Sequence, residues 1–303
     1  MEAHSHFDKG GQIAWDATSL TLFQECPRKY QYKMLEHWQP QRPSVHLIFG
    51  GFYADALQHF YNELAKYNDR EQALRSTVHH ALIISATVPW EQNHASKTRE
   101  SLIRTIIWYV DHYADSQIKV IETPDKRVAT ELSFRIELPA LPDGTAPLWC
   151  GHLDQVVRAS DNQLFVMDQK TTASTLSPYW FKQFDLSGQM TGYTFAGKVI
   201  FDQPVSGVAI DAAQVAVGFS RFARLFTHRT DDQLMEWVEE TVHTIAQARE
   251  AFTKSYFPRN TTSCDRYGGC QFREVCSRAP HIRENFLRAD FVNDKAWNPL
   301  DSR

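Results

Sequence analysis

The chain has 303 residues, 43% of them hydrophobic and 13% aromatic, and a formal net charge of −4. Such a chain is expected to fold as a soluble globular protein of one large or two smaller domains, and its bulk charge excludes the strongly basic kind of nucleic-acid binder, so any basic surface must be local. No stretch approaches the roughly 18–20 uninterrupted apolar residues of a membrane span, and the opening MEAHSHFDKGGQ lacks the apolar core of a signal peptide, which points to the cytoplasm and to no membrane partner.

Residues 1–17 read as a loose polar leader. Thr18 or Ser19 then caps a short helix carrying Leu20, Leu22 and Phe23, and Pro27 opens a second one. In CPRKYQYK, Arg28 and Lys29 stand beside Tyr30, a basic and aromatic mixture that suits a phosphate backbone and bases, or equally a snorkelling surface helix. Phe52, Ala56, Phe60 and Leu64 recur every four residues, and SLIRTIIWYVDHY gives another amphipathic helix. At RVATELSFRIEL the period changes to two, the mark of a strand.

LWCGHLDQVVRA and QLFVMDQK follow as two strands joined through Ser160, Asp161 and Asn162, an antiparallel hairpin. Ser177 and Pro178 open a long helix through YWFKQFDLSGQMTGYTFAGKVI, then GVAIDAAQVAVGF is a strand and DDQLMEWVEETVHTIAQAREAF a last long helix. GYTFAGKV nearly spells a phosphate-binding loop, but Val199 replaces its hydroxyl residue and the segment lies in a helical pattern.

On the hairpin, Asp154 occupies the first strand, while Asp168 and Lys170 lie two apart on the second and share a face. Charges on strands otherwise rich in Leu, Phe, Val and Met are costly to bury unless paired or bound to a cation. The set therefore suggests an oxygen-ligand site for Mg2+ or Mn2+, and phosphodiester hydrolysis is the chemistry that uses two such carboxylates with a lysine. A surface hairpin with an ordinary Asp–Lys pair is the bland alternative. In the last quarter of the chain, Cys264, Cys270 and Cys276 form an incomplete trio, since structural zinc takes four ligands and disulfides take pairs. In a reducing compartment cysteines serve as metal ligands or buried apolar residues. Cys150, on an apolar strand, is of the buried kind.

G-x-x-D in Gly151 to Asp154, D-x-K-T in Asp168 to Thr171, Q-x-x-x-Y in Gln189 to Tyr193 and the upstream SLTLFQECPRKYQYK occur in an order that resembles the PD-(D/E)XK nuclease superfamily in its RecB-like branch. The resemblance implies an α/β fold with a central mixed sheet flanked by helices, a helical N-terminal insertion and a C-terminal cysteine appendix. It spans a single domain at 18–278, with 279–303 as a tail. It implies that Asp154 and Asp168 are metal ligands helped by the Gln169 carbonyl, that Lys170 is the catalytic lysine, and that Gln189 and Tyr193 approach the substrate or support the site. It also implies that Cys26 joins Cys264, Cys270 and Cys276 around a [4Fe-4S] cluster, with zinc as the alternative. Glu131 is a weaker candidate.

Two features depart from the pattern. Relatives often carry a histidine where this chain has Ala54, leaving Asp55 or His59 as replacements or His59 as a packing residue, and the trio commonly opens C-x-x-C whereas DRYGG separates Cys264 from Cys270. Arg249, Lys254, Arg259, Arg266, Arg273 and Arg278 supply a basic patch or a solvated face.

The function implied is a metal-dependent deoxyribonuclease, an exonuclease acting on DNA ends or single strands, in a bacterium or phage-infected host. Recombination, repair, phage DNA processing or CRISPR adaptation would be its setting, with recombination or CRISPR proteins as partners. The alternative is a non-catalytic DNA-binding or assembly subunit that keeps the fold.

Overall fold

The computed structural model describes residues 6–42, 44–88, 90, 94–123, 126–201, 203–266, 269–294 and 298–301. The first five residues of the expected leader, and Tyr267 and Gly268 of the DRYGG insert, lie outside the described residues. In chain order come β1 (Phe7–Asp8), β2 (Gly11–Gln12), β3 (Ala14–Trp15), α1 (Ala17–Glu25), α2 (Pro27–Tyr30), a π-helical turn at Gln31–Leu35, β4 (Trp38–Pro40), α3 (Val45–Tyr67), α4 (Arg70–Ile84) and α5 (Arg99–His112). They are followed by β5 (Lys119–Val120), β6 (Thr130–Glu137), β7 (Leu148–Arg158), β8 (Leu164–Thr172), α6 (Pro178–Phe181), α7 (Gly188–Ile200), β9 (Val205–Val215) and β10 (Ser220–His228). α8 (Asp231–Thr253), α9 (Arg273–Ser277), α10 (Arg283–Asp290) and β11 (Phe291–Asn293) complete the chain.

Seven strands form a mixed sheet of order β10–β9–β8–β7–β3, with β5 and β6 also paired to β7. β7 and β8 are the expected antiparallel hairpin, and β8 and β9 are parallel, as their joining through α7 requires. This is the α/β architecture with a mixed sheet and flanking helices that the sequence leads one to expect. Among the described residues no helix is long and apolar enough to cross a membrane.

The chain divides into two compact units, one of Met1–Pro43, Phe134–Gly151 and Met235–Ser302, the other of Ser44–Ser133 and His152–Leu234. In the first, the stretch expected to be a loose leader is ordered from Phe7 onward. Ala14 and Trp15 are fully buried, Trp15 stacks on Tyr30 at 5.5 Å, and Gln12 accepts the Tyr30 hydroxyl at 2.8 Å. Asp16, not Thr18 or Ser19, caps α1 in a reciprocal box with Ser19. Arg249 on α8 binds Asp8 at 2.9 Å and Asp143 at 3.0 Å. β4 and β11 pair antiparallel over a cluster of Tyr32, Phe272, Val275 and Leu287.

In the second unit, α3, α4 and α5 cover one face of the sheet. Phe49, Tyr53, Leu57 and Phe60 of α3 meet Leu102, Ile106 and Tyr109 of α5, with Ala213 and Val215 of β9 beneath them. Capping defines the ends of these helices: Ser44 opens α3, Asn68 closes it in the left-handed region at φ 50°, Asp69 opens α4, and Thr98 with Ser101 opens α5. α7 packs on the other face, where a side chain at Gly197 would stand 3.0 Å from Val205 and 3.2 Å from Val166. The long helix expected from Pro178 to Ile200 is broken. α6 and a 3-10 turn at Lys182–Phe184 precede α7, because the Ser187–Gly188 step is a poor helix interior.

Candidate active site

The hairpin register sets the site. Gln155 pairs with Met167, so Asp154 and Asp168 come next to each other on neighbouring strands and on one face. The Gln169 amide donates to Asp154 Oδ2 at 2.9 Å. Lys170, two residues after Asp168, donates to its Oδ1 at 3.0 Å and lies 2.7 Å from Oδ2, which accepts no well-directed hydrogen bond. The lysine also donates to Gln189 Oε1 at 3.2 Å, and the Gln189 amide donates to the Tyr193 hydroxyl at 3.2 Å, one turn along α7. All five expected catalytic residues thus fall in one linked group that reaches from β7 through β8 to the start of α7.

The electrostatics of this group are unbalanced. Burial, then the Asp168 charge, push the Asp154 carboxyl up to about 7, with Glu131 adding to the negative field and Lys170 and the Gln169 amide opposing it. Burial works against the Lys170 ammonium, but Asp168 and Asp154 outweigh it and raise its pKa. Glu131 itself holds φ at 47°, a left-handed conformation costly for a side-chain-bearing residue and of the kind that clusters at active sites. The glycine of G-x-x-D has a packing reason: a Cβ at Gly151 would stand 2.9 Å from the Phe134 ring.

Two carboxylates facing each other with a single ammonium carry excess negative charge, and together with the unbonded Asp168 Oδ2 they form a donor set that a hard divalent cation fits. Among the described residues, no group of three or more His, Cys, Asp or Glu side chains is arranged to hold a metal ion. Asp55 is paired with His80, and His59 bonds to Ser76 at 2.9 Å and stacks on His80 at 4.4 Å, so both are committed to α4.

Sequence reading passed over two other clusters in this unit. Lys97, 1% exposed, donates to Thr171 Oγ1 at 2.8 Å and lies 4.9 Å from the Phe49 ring; burial lowers its pKa to about 8. It holds the end of β8 just past Lys170. Its only signal in the sequence was a lysine placed immediately before a capping box. Behind the sheet, on the face of Gln169, Asp211 pairs with Arg224 at 3.1 Å and accepts the Tyr109 hydroxyl at 2.6 Å.

In the other unit the expected nucleic-acid residues have other work. Tyr30, 2% exposed, is a core residue and not a surface contact; Lys29 pairs with Glu25 at 2.8 Å, and Arg28 Nε donates to the Phe257 carbonyl at 2.9 Å. In the expected basic patch Lys254 pairs with Glu250, Arg273 with Asp265 and Arg278 with Glu274, besides Arg249, while Arg259 donates to the Cys276 carbonyl at 3.1 Å. None of the five cysteines is in a disulfide. The Asn260 amide donates to Cys26 Sγ at 3.4 Å, the Cys270 amide to the Cys264 carbonyl at 2.8 Å, and Cys26 acts electrostatically on both Cys270 and Cys276. Burial pushes the Cys150 thiol up to about 12, in keeping with an inert interior residue.

No curated protein matches the chain. Among solved structures, the crystal structure of SSO0001 aligns with a TM-score of 0.38 and 12% identity over 91% of this chain and 89% of that one, a likeness too slight to carry an argument. A family model of the PD-(D/E)XK nuclease superfamily matches residues 14–277, a span that includes every residue of the group built above, and on that match the chain belongs to the PD-(D/E)XK nuclease superfamily.

Proposed function

We propose that the chain is a metal-dependent deoxyribonuclease of the RecB-like branch that hydrolyses phosphodiester bonds at DNA ends or in single strands. The observation that carries this reading is the convergence of Asp154, Asp168 and Lys170, with Gln189 bound to the lysine. Asp154 and Asp168, with the Gln169 carbonyl, would hold Mg2+ or Mn2+, which polarises the phosphate and lowers the pKa of a bound water. Lys170 keeps its proton against burial and presents a fixed ammonium beside the carboxylates. There it orients the attacking water and stabilises charge on the phosphate oxygens as the P–O bond to the leaving oxygen breaks. Gln189 fixes the ammonium's direction, and Tyr193 fixes Gln189. Recombination, repair, phage DNA processing and CRISPR adaptation are the settings in which such ends arise.

Cys26, Cys264, Cys270 and Cys276 we assign to a [4Fe-4S] cluster, with zinc as the alternative. The Asn260 amide on Cys26 Sγ and the Ser263 hydroxyl on the Glu25 carbonyl, which bring Cys26 beside the segment that opens the trio, support it. Iron and sulfide analysis of anaerobically purified protein, beside Cys26→Ser, tests that assignment. Zinc without sulfide selects the alternative.

A second reading, a binding subunit without chemistry, is favoured by one observation: Ala54 replaces the family histidine, and Asp55 and His59 are engaged on α4. The two readings part on end-labelled single- and double-stranded DNA incubated with Mg2+ or Mn2+. Release of label by wild type, reduced about 10²–10³-fold in Lys170→Ala, is the expected result. DNA binding with equal inertness of wild type and variant would leave only the second reading.

A further inference from the structure

β10 is the last strand on its side of the sheet, paired with β9 along its whole length and, among the described residues, with no strand beyond it. The turn between the two strands decides which backbone groups this leaves open. The Ala216 amide donates to the Phe219 carbonyl at 2.9 Å, so these two are a hydrogen-bonded pair, and every second residue onwards, from Arg221 to Thr227, turns its N–H and C=O towards β9. Phe222, Arg224 and Phe226 therefore turn theirs to the free edge, and among the described residues nothing hydrogen-bonds to those backbone groups. Natural sheets guard such an edge with a short strand, a proline, a bulge, lysines or a charge pointing into the core. β10 runs for nine residues in unbroken register, with no proline and no lysine. Arg224 is its core-directed charge, but Asp211 at 3.1 Å neutralises it. On the opposite face Ala223 and Leu225 lie between Arg221 and Thr227, and Leu225 is exposed.

An open ladder calls for another strand, and a second copy of β10 matches this one side chain by side chain. When two copies run antiparallel about a two-fold axis at Arg224, the open groups of Phe222 of one copy meet those of Phe226 of the other, and two aromatic pairs form on one face. On the opposite face Ala223 meets Leu225 and Arg221 meets Thr227. The only like charges brought together are the two Arg224 guanidinium groups, each held by its own Asp211. A strand of another protein requires no such self-match, and its presence in β10 favours the second copy. We propose that the chain forms a two-fold dimer in solution through antiparallel pairing of β10 with β10 of a second copy. The two β8 strands then lie five strand spacings, about 24 Å, apart, with their Asp168 and Lys170 faces on the same side of one continuous sheet. The proposal is independent of the nuclease reading above.

Sedimentation equilibrium of the full-length protein tests this. Wild type is expected at the mass of two chains. The double variant Ala223→Lys with Leu225→Lys, which sets lysines opposite lysines, is expected at the mass of one, with a thermal melt to show that it is folded. Cross-linking reads the register. Positions 223 and 225 of the two copies fall within reach of a disulfide, so a mixture of Ala223→Cys and Leu225→Cys should cross-link with oxidised glutathione, and neither variant alone beyond the wild-type level. A wild type that stays a single chain up to about 100 μM, where a micromolar contact is nearly saturated, overturns the proposal and leaves the edge to a strand of another protein or to solvent. A dimer whose cysteine mixture does not cross-link overturns it equally, because its contact then lies elsewhere.

Discussion

Two acid–base groups lie on opposite faces of the same sheet, one on β8 and the other on β9 and β10. On one face Asp168 and Lys170 are 2.7 Å apart; behind them Asp211 and Arg224 are 3.1 Å apart. Both are shielded, and each leaves one buried carboxylate oxygen without a hydrogen bond, so neither burial nor an unbonded oxygen distinguishes them. Charge does. Arg224 balances Asp211 one to one and is closed in by aromatic rings, its guanidinium 3.5 Å from the centre of the Tyr113 ring. Asp168 must share Lys170 with Asp154, and Glu131 adds to the excess. A buried neutral pair is a structural element, whereas a recess with surplus negative charge is one that a cation would neutralise.

The comparison is broken most directly by two single substitutions. Asp168→Asn should lower metal-dependent DNA cleavage about a thousandfold while leaving stability to urea unchanged or raised, since it relieves the repulsion with Asp154. Asp211→Ala should do the opposite. It strands Arg224, whose side chain is 8% exposed, and should cost about 3–5 kcal/mol of stability with cleavage per folded molecule retained. Paired urea melts and cleavage assays decide the matter; loss of activity without loss of stability in Asp211→Ala would show the two groups to be one site.

A divalent cation sharpens the same contrast. Mn2+ at about a hundred times its dissociation constant should stabilise the wild type by about 2.7 kcal/mol, read as a rise in melting temperature. Asp154→Asn should remove that rise and Arg224→Lys should keep it. A rise that survives Asp154→Asn would place the cation elsewhere.

How far the sequence discloses these groups follows from how each is built. Asp168 and Lys170 stand out because their charges sit together at the end of an apolar strand, and the hairpin turn fixes which residue of β7 faces them. Asp211 and Arg224 are harder to read, because Asp211 is a lone charge on its strand and Arg224 has no acidic residue on its own strand to pair with. Arg224 moreover falls on the same side as Phe222 and Phe226, which spoils the alternation that would otherwise announce β10. α4 escapes for a related reason: its buried positions are Ala73, Thr77 and Ala81, too small and polar to make an apolar stripe. Tyr30 shows the converse error, a residue type suited to nucleic acid but turned into the core by Trp15 and Gln12. Residue type gives the chemistry available; direction depends on partners distant in sequence.

Lys97 offers the smallest effect and the finest test, because it is a third buried cation near the same sheet with no carboxylate paired to it among the described residues. Burial lowers its pKa to about 8, below the ordinary lysine value near 10.4 that it regains on unfolding. Between those two values the unfolded chain binds more protons than the folded one, so stability must rise with pH across that window. Below pH 8 the full penalty of the buried ammonium is present, and above about 10.4 it is gone. Urea melts from pH 7.5 to 10.5 should therefore show an upward slope amounting to about 1–3 kcal/mol, reduced in Lys97→Met, which keeps the apolar stem against Phe49 but cannot charge. Lys97→Met also gives up the bond to Thr171 that holds β8 beside Lys170, so a flat pH profile combined with slower cleavage would identify Lys97 as a residue that positions Lys170. A slope unchanged in Lys97→Met would show that other groups produce it and that burial does not depress the Lys97 ammonium.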